Sequence, residues 1–227
     1  MRFALYYTPQ AGTLFHELGS RWLGRDVFGA PVADTISGLG PYITDAARYG
    51  FHATLKAPFR LREGKTIDAL FETVAQLARK LSPISLDPLE LSTRYGFLAL
   101  TPRDQDENLA ALERSCVCQV DAFRAPPPVE EIAKRRVHGL TARQEKHLAD
   151  WGYPYVLDAF RFHLTLTRNL KPEEISPLQE RAAAHFAPVL GQKMPVDRIT
   201  VFHEAAPGVA FEAVQEFPLG ADGGSKP

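Results

Sequence analysis

The chain has 227 residues, 45% of them hydrophobic and 23% charged, which is the balance of an ordinary globular protein and excludes wholesale disorder, collagen-like repeats and long coiled coils. A formal net charge of −1 argues against a long nucleic acid partner, which selects a basic stripe, and suits a small anionic ligand held by a few local cations. No apolar run approaches the roughly 20 residues of a membrane helix, and the two cysteines, Cys116 and Cys118, are too close for a disulfide framework, so the expected compartment is the cytosol.

Residues 2–8 alternate and carry enough aromatic side chains for a first strand, not a secretion signal. Leu14, Leu18 and Trp22 recur at four-residue spacing before Gly24, which predicts a helix over 12–23 with a glycine C-cap. A glycine- and proline-punctuated loop is expected over 24–47, then a strand over 48–59. Ile67, Leu70, Phe71, Val74, Leu77 and Leu81 form one stripe, so 66–81 reads as a helix. Strands over 84–91 and 96–101 and a helix over 104–120 follow. Residues 126–151 read as a helical insert, opened by three prolines, with Thr141 and Gln144 spaced as a capping box. The insert's cations, among them Lys134, Arg135 and Arg136, nearly balance its acids and read as solvated surface. Then come a strand over 160–168, a helix over 173–190 and strands over 195–203 and 208–217. That order repeats the one from 48 to 101 at an offset of about 111, and Pro41-Tyr42-Ile43 before the first strand is echoed by Pro154-Tyr155-Val156 before the second. The organisation expected is a single bilobal domain over 1–220, with repeat halves at about 40–101 and 152–217, and a disordered tail over 221–227.

Both repeated strands hold the same pattern, Phe51-His52-Ala53-Thr54-Leu55-Lys56 and Phe162-His163-Leu164-Thr165-Leu166-Thr167. Residues two apart on a strand share a face, so His52, Thr54 and Lys56 line up, as do Arg161, His163, Thr165 and Thr167. Polar residues at period two on apolar strands form the floor of a cleft, and the repeat brings both histidines to one centre. With ordinary pKa values near 6.5, one imidazole can take a proton while the other gives one. Thr54 and Thr165 can hydrogen-bond phosphoryl oxygens, and Lys56 can offset developing negative charge. This chemistry requires no cofactor and no metal.

Two His-x-Thr-hydrophobic motifs on repeated strands resemble the 2H phosphoesterase superfamily. The strings Tyr49-Gly50-Phe51-His52-Ala53-Thr54-Leu55-Lys56-Ala57-Pro58-Phe59, Trp151-Gly152-Tyr153-Pro154-Tyr155-Val156, Trp22-Leu23-Gly24-Arg25-Asp26 and Phe123-Arg124-Ala125-Pro126 are similar to its phosphonate-metabolism branch. The resemblance implies a bilobal α+β fold, two pseudo-twofold-related lobes with antiparallel-rich sheets around a central cleft. It also implies metal-independent phosphodiester chemistry, with His52, Thr54, His163 and Thr165 as the catalytic site. The substrate expected is a small phosphodiester or cyclic phosphate, with Lys56, Thr167, Arg161, Tyr153 and Tyr155 as substrate-binding candidates. Trp22, Arg25, Arg124 and Arg143 are weaker pocket or phosphate candidates. Two other activities compete with this one: an RNA-end 2′,3′-cyclic phosphodiesterase, and a non-catalytic nucleotide- or RNA-binding module whose histidines only hold phosphate. A zinc site made by His52, His163 and His203 is a further alternative, disfavoured because it leaves the threonines without a role.

Overall fold

A computed structural model describes residues 1–137 and 139–220; the expectation for 221–227 falls outside the described residues. Among the described residues every strand pairing is antiparallel, and the strands fall into one four-stranded, one three-stranded and one two-stranded sheet. The fold is α+β and bilobal, with a strand that carries a His-x-Thr motif at an edge of each larger sheet.

β1 (Arg2–Tyr7) is buried along almost its whole length, because it runs between β2 (Ala53–Phe59) and β8 (Arg198–Glu204), with β9 (Glu212–Pro218) outside β8. In the second lobe β5 (Phe97–Thr101) holds the middle place between β4 (Glu90–Ser92) and β6 (Leu164–Asn169). β5 therefore stands to β6 as β1 stands to β2. Each large sheet mixes strands from early and late in the chain, and β3 (Ile84–Leu86) pairs with β7 (Met194–Val196) across the molecule. The segments expected as single strands over 84–91 and 195–203 are each broken, at Asp87-Pro88-Leu89 and at Asp197, because their two parts pair with different sheets.

α1 (Leu14–Leu23) starts at Thr13, whose side chain accepts from the backbone of His16, and ends at Gly24 in the left-handed region. It packs directly on Phe51: a Cβ on Gly19 would lie 2.0 Å from the Phe51 ring. Trp22 fixes α1 to the other lobe, its indole N–H donating to the Leu166 carbonyl at 2.9 Å. The residues before β2 are not a loop as expected. Gly40–Tyr49 form α2, with Pro41 in the first turn where a missing N–H costs nothing, and α2 lies against β6. Pro41-Tyr42-Ile43 is thus helical, whereas Pro154-Tyr155-Val156 leads into a short 3-10 turn at Leu157–Ala159, so the echo between them is not structural.

α3 (Ile67–Arg79) and α4 (Glu107–Val120) pack together in the first lobe, with α4 also against β2, and α7 (Pro172–Phe186) covers β4 and β5. The insert holds α5 (Val129–Arg136) and α6 (Ala142–Trp151), the latter opened by the Thr141–Gln144 capping box. Among the described residues no helix is long and apolar enough to cross a membrane.

Candidate active site

His52 and His163 occupy the positions immediately before β2 and β6, so the chain has only just turned extended where each imidazole leaves the backbone. Both are held by the same local device. His52 Nδ1 lies 2.8 Å from the Gly50 carbonyl and His163 Nδ1 lies 2.7 Å from the Arg161 carbonyl, two residues back in each case. A carbonyl can only accept, so both rings carry the proton on Nδ1 and present a bare Nε2. Gly50 sits at φ +78°, ψ −178°, a region open essentially to glycine. A Cβ there would also lie 2.0 Å from Val27 Cγ1. The carbonyl that orients His52 is thus placed by a conformation no other residue adopts without strain.

Aromatic rings surround both imidazoles. Tyr6 packs at 3.9 Å between ring centroids from His52, with Tyr49 at 6.0 Å. Tyr95 and Phe97 flank His163 at 5.7 and 5.6 Å. This burial disfavours the charged forms: His52 is pushed down to about 4, opposed by the Gly50 hydrogen bond and aided by the nearby charge of His163, and His163 is lowered for the same main reason. The Thr54 hydroxyl lies 3.3 Å from His52 Nε2, and since that nitrogen is bare, the hydroxyl donates. Thr165, half-buried on β6, pairs with Ala99 of β5 and lies two residues beyond His163, on the same strand face.

A cavity of about 450 Å³ opens on this centre. Thr54, His163, Arg161, Tyr153 and Tyr155 line it, so five of the residues expected in the site share one space, and His52 adjoins it through Thr54. Tyr153 and Tyr155 meet edge to face at 5.6 Å. Arg161 lines the cavity with its guanidinium turned back on the Asp158 and Phe160 carbonyls, at 3.0 and 2.5 Å.

Two expected substrate contacts are not there. Lys56 is buried, and its Nζ donates to the Val117 carbonyl at 2.9 Å and to Asp121 at 3.1 Å. It shares the strand face of Thr54, but α4 covers that end of β2 and supplies the partners. Thr167 is also buried; its Oγ1 accepts from the Leu98 N–H and donates to the Arg168 carbonyl, tying β6 to β5. The weaker candidates are structural as well. Arg25 bonds backbone carbonyls of Ala47, Arg48 and Phe211, Arg124 pairs with Asp121, and Arg143 pairs with Asp158. His203 points to the opposite face of β8 from Phe202, the residue on that strand that approaches the His52 ring. Among the described residues no group of three His, Cys, Asp or Glu side chains is placed to hold a metal ion.

Sequence reasoning missed the aromatic walls and one carboxyl. Tyr6, Tyr95 and Phe97 carry no motif, Tyr49 stands at the head of the first histidine string without a role of its own, and all four are recognisable as walls only once the strands are paired. Glu113 of α4 is buried, lines the cavity and accepts from the Leu157 N–H with both oxygens at 3.2 Å; burial pushes it up to about 7. Leu157 has φ +56°, so this carboxyl stabilises a strained turn below Tyr155.

The lowered His52 carries a stability prediction. In the unfolded chain this imidazole takes up a proton near pH 6.5, whereas in the folded chain it resists until about pH 4. The unfolded state binds more protons across that window, so stability falls as pH drops through it. Wild-type protein should lose about 2 kcal/mol from His52 between pH 7 and pH 5, a loss that His52→Gln removes. Urea melts of both proteins at the two pH values check this, and equal pH dependence would contradict the burial of His52.

The family model described as "Protein of unknown function (DUF1045)" matches residues 54–212. The chain is 38% identical over 233 residues, 98% of its own length and 51% of the relative's, to "Ribose 1,5-bisphosphate phosphokinase PhnN" of Janthinobacterium sp. (strain Marseille). It spans about half the length of the curated relatives it matches. Among solved structures it is similar to TT0787 of Thermus thermophilus, with TM-score 0.46 and 16% identity over 98% of this chain and 100% of that one. It is also similar to LigT of E. coli in its apo form, with TM-score 0.45 and 14% identity over 96% of each chain.

Proposed function

The chain belongs to the DUF1045 family, and from that premise we propose that it is a 2H-type phosphoesterase that hydrolyses a small phosphodiester or cyclic phosphate, with His52, His163, Thr54 and Thr165 as its catalytic residues. The observation that carries this reading is the matched pair of imidazoles, each held through Nδ1 by the carbonyl two residues back, with a bare Nε2 beside one cavity.

In this mechanism His52 is the general base. It is the more strongly held neutral, and its Nε2 already accepts from Thr54. When substrate binds, the Thr54 hydroxyl turns to a phosphoryl oxygen, and Nε2 takes a proton from the attacking water as its oxygen bonds to phosphorus. His163 is the acid. An anionic phosphoryl group in the cavity favours its protonated form, and that proton goes to the leaving oxygen as the phosphorus–oxygen bond breaks. Thr54 and Thr165 donate to the non-bridging oxygens where charge builds up.

The ribose phosphate in the relative's name, together with the phosphonate-branch motifs, favours a cyclic phosphate of a ribose derivative, handled in the cytosol during phosphonate use. The kinase activity in that name is said of a protein twice as long. In this chain Gly64-Lys65-Thr66 lacks the first glycine of a G-x-x-x-x-G-K-[S/T] phosphate loop, whose place is taken by Phe59.

The test is turnover on a panel of cyclic phosphates, with a mononucleotide-sized substrate competing against an RNA oligomer bearing the same terminus. We expect the small substrate to win and its rate to depend weakly on salt, since a net charge of −1 and an insert of nearly balanced charge favour a polymer backbone little. Preference for the oligomer with a steep salt dependence would move the assignment to an RNA-end phosphodiesterase. Phosphate binding without any turnover would leave the non-catalytic module.

A further inference from the structure

A phosphodiester is an anion, yet most cations around this cleft are already engaged. Lys56 and Arg124 are bound to Asp121, and Arg2 and Arg48 are bound to Glu204. Arg161 is folded onto two carbonyls, and burial disfavours the charged form of both imidazoles.

Arg135 of α5 differs. Among the described residues it joins no ion pair and donates no hydrogen bond, while its neighbour Arg136 is held by Glu145, and Glu131, one turn earlier, is occupied by Arg60. Its guanidinium lies 4.8 Å above the Tyr153 ring, and Tyr153 lines the cavity together with Thr54 and His163. Its charge also acts on the Tyr6 hydroxyl, and the Tyr6 ring packs 3.9 Å from His52. Through Tyr153, Arg135 thus adjoins the cavity that Thr54 and His163 line. Stacking on an aromatic face orients a guanidinium without using up its five N–H donors, and that fork matches the oxygens of a phosphoryl group.

We propose that Arg135 is the anion-binding cation of the cleft, held over Tyr153 by the insert helix to grip the phosphoryl group of the substrate. The insert is then part of the binding site and not only a cover for it. The nature of the anion rests on the phosphoesterase reading, so the test reads binding separately from turnover.

Isothermal titration of the full chain at low salt with inorganic phosphate and with 3′-AMP is the measurement. Arg135→Gln should weaken both about tenfold or more, the value of a charge-assisted hydrogen bond, and should leave the melting temperature unchanged. Lys134→Gln, exposed on the same helix, should bind as wild type. Arg135→Gln that binds both ligands like wild type overturns the proposal. So does wild-type protein that binds neither, or a loss confined to Arg161→Gln. If phosphate binding depends on Arg135 but no cyclic phosphodiester is turned over, the phosphoesterase reading fails and the role of Arg135 stands. If turnover proceeds with the KM of Arg135→Gln unchanged, the reverse holds.

Discussion

Replacing either His52 or His163 by alanine should lower turnover about 10²–10⁴-fold, the usual contribution of a positioned proton transfer. The double variant should be little worse than either single one, because base and acid act on one transition state and their effects do not add. The two singles should separate on an activated substrate. A p-nitrophenyl phosphodiester releases an anion that needs no proton, so His163→Ala should recover much of its loss there while His52→Ala does not. The opposite pattern would exchange the two roles. Full activity in either single variant on a cyclic phosphate would remove that histidine from the mechanism. Because the His52 ring is packed on Tyr6, thermal melts of both variants must accompany the rates.

Thr54→Val and Thr165→Val should each lower kcat by about 10²–10³, the typical effect of deleting one donor to a developing oxyanion. Valine keeps the β-branched shape on β2 and β6, so the strands should form as before. Thr54 tests more than Thr165, because its hydroxyl is also the group within 3.3 Å of His52 Nε2. Its loss should therefore alter the acidic limb of the kcat/KM–pH profile, which reports the free enzyme, as well as the plateau, whereas Thr165→Val should lower the plateau alone. Chelators should leave the wild-type rate unchanged. Thr54→Val with a normal kcat and an unchanged profile would leave His52 without the partner assigned to it.

Several parts of this molecule were legible from local pattern. The caps of α1 at Thr13 and Gly24, the capping box of α6 and the apolar stripe of α3 depend on residues within a turn or two of one another. The two His-x-Thr motifs were legible for a similar reason: a period of two and a repeated element order are properties of the chain itself. α2 was not. Gly40, Pro41 and Gly50 punctuate it as they would a loop, and what favours a helix there is packing against β6, more than a hundred residues away.

The same division decides the site. The sequence by itself singled out the residues proposed to carry the proton-transfer chemistry, because His52 with Thr54 and His163 with Thr165 are defined by two-residue spacing on extended chain. The carbonyls that hold the imidazoles lie only two residues back, yet that each Nδ1 meets one is seen only in the structure. Only the tertiary structure decided which cations near that centre are already engaged. Lys56 shares a strand face with Thr54, and alternation cannot reveal that α4 lies over that end of β2 and claims its ammonium for Val117 and Asp121. Thr167 follows the same alternation and is claimed by β5. Arg135 sits in an insert whose charges nearly balance and read as solvated surface, yet the fold stacks it on Tyr153 at the cavity. The physical reason is range. Spacing along a strand tells which way a side chain leaves the backbone, but its partner is set by whichever element covers that point, and burial makes that pairing obligatory.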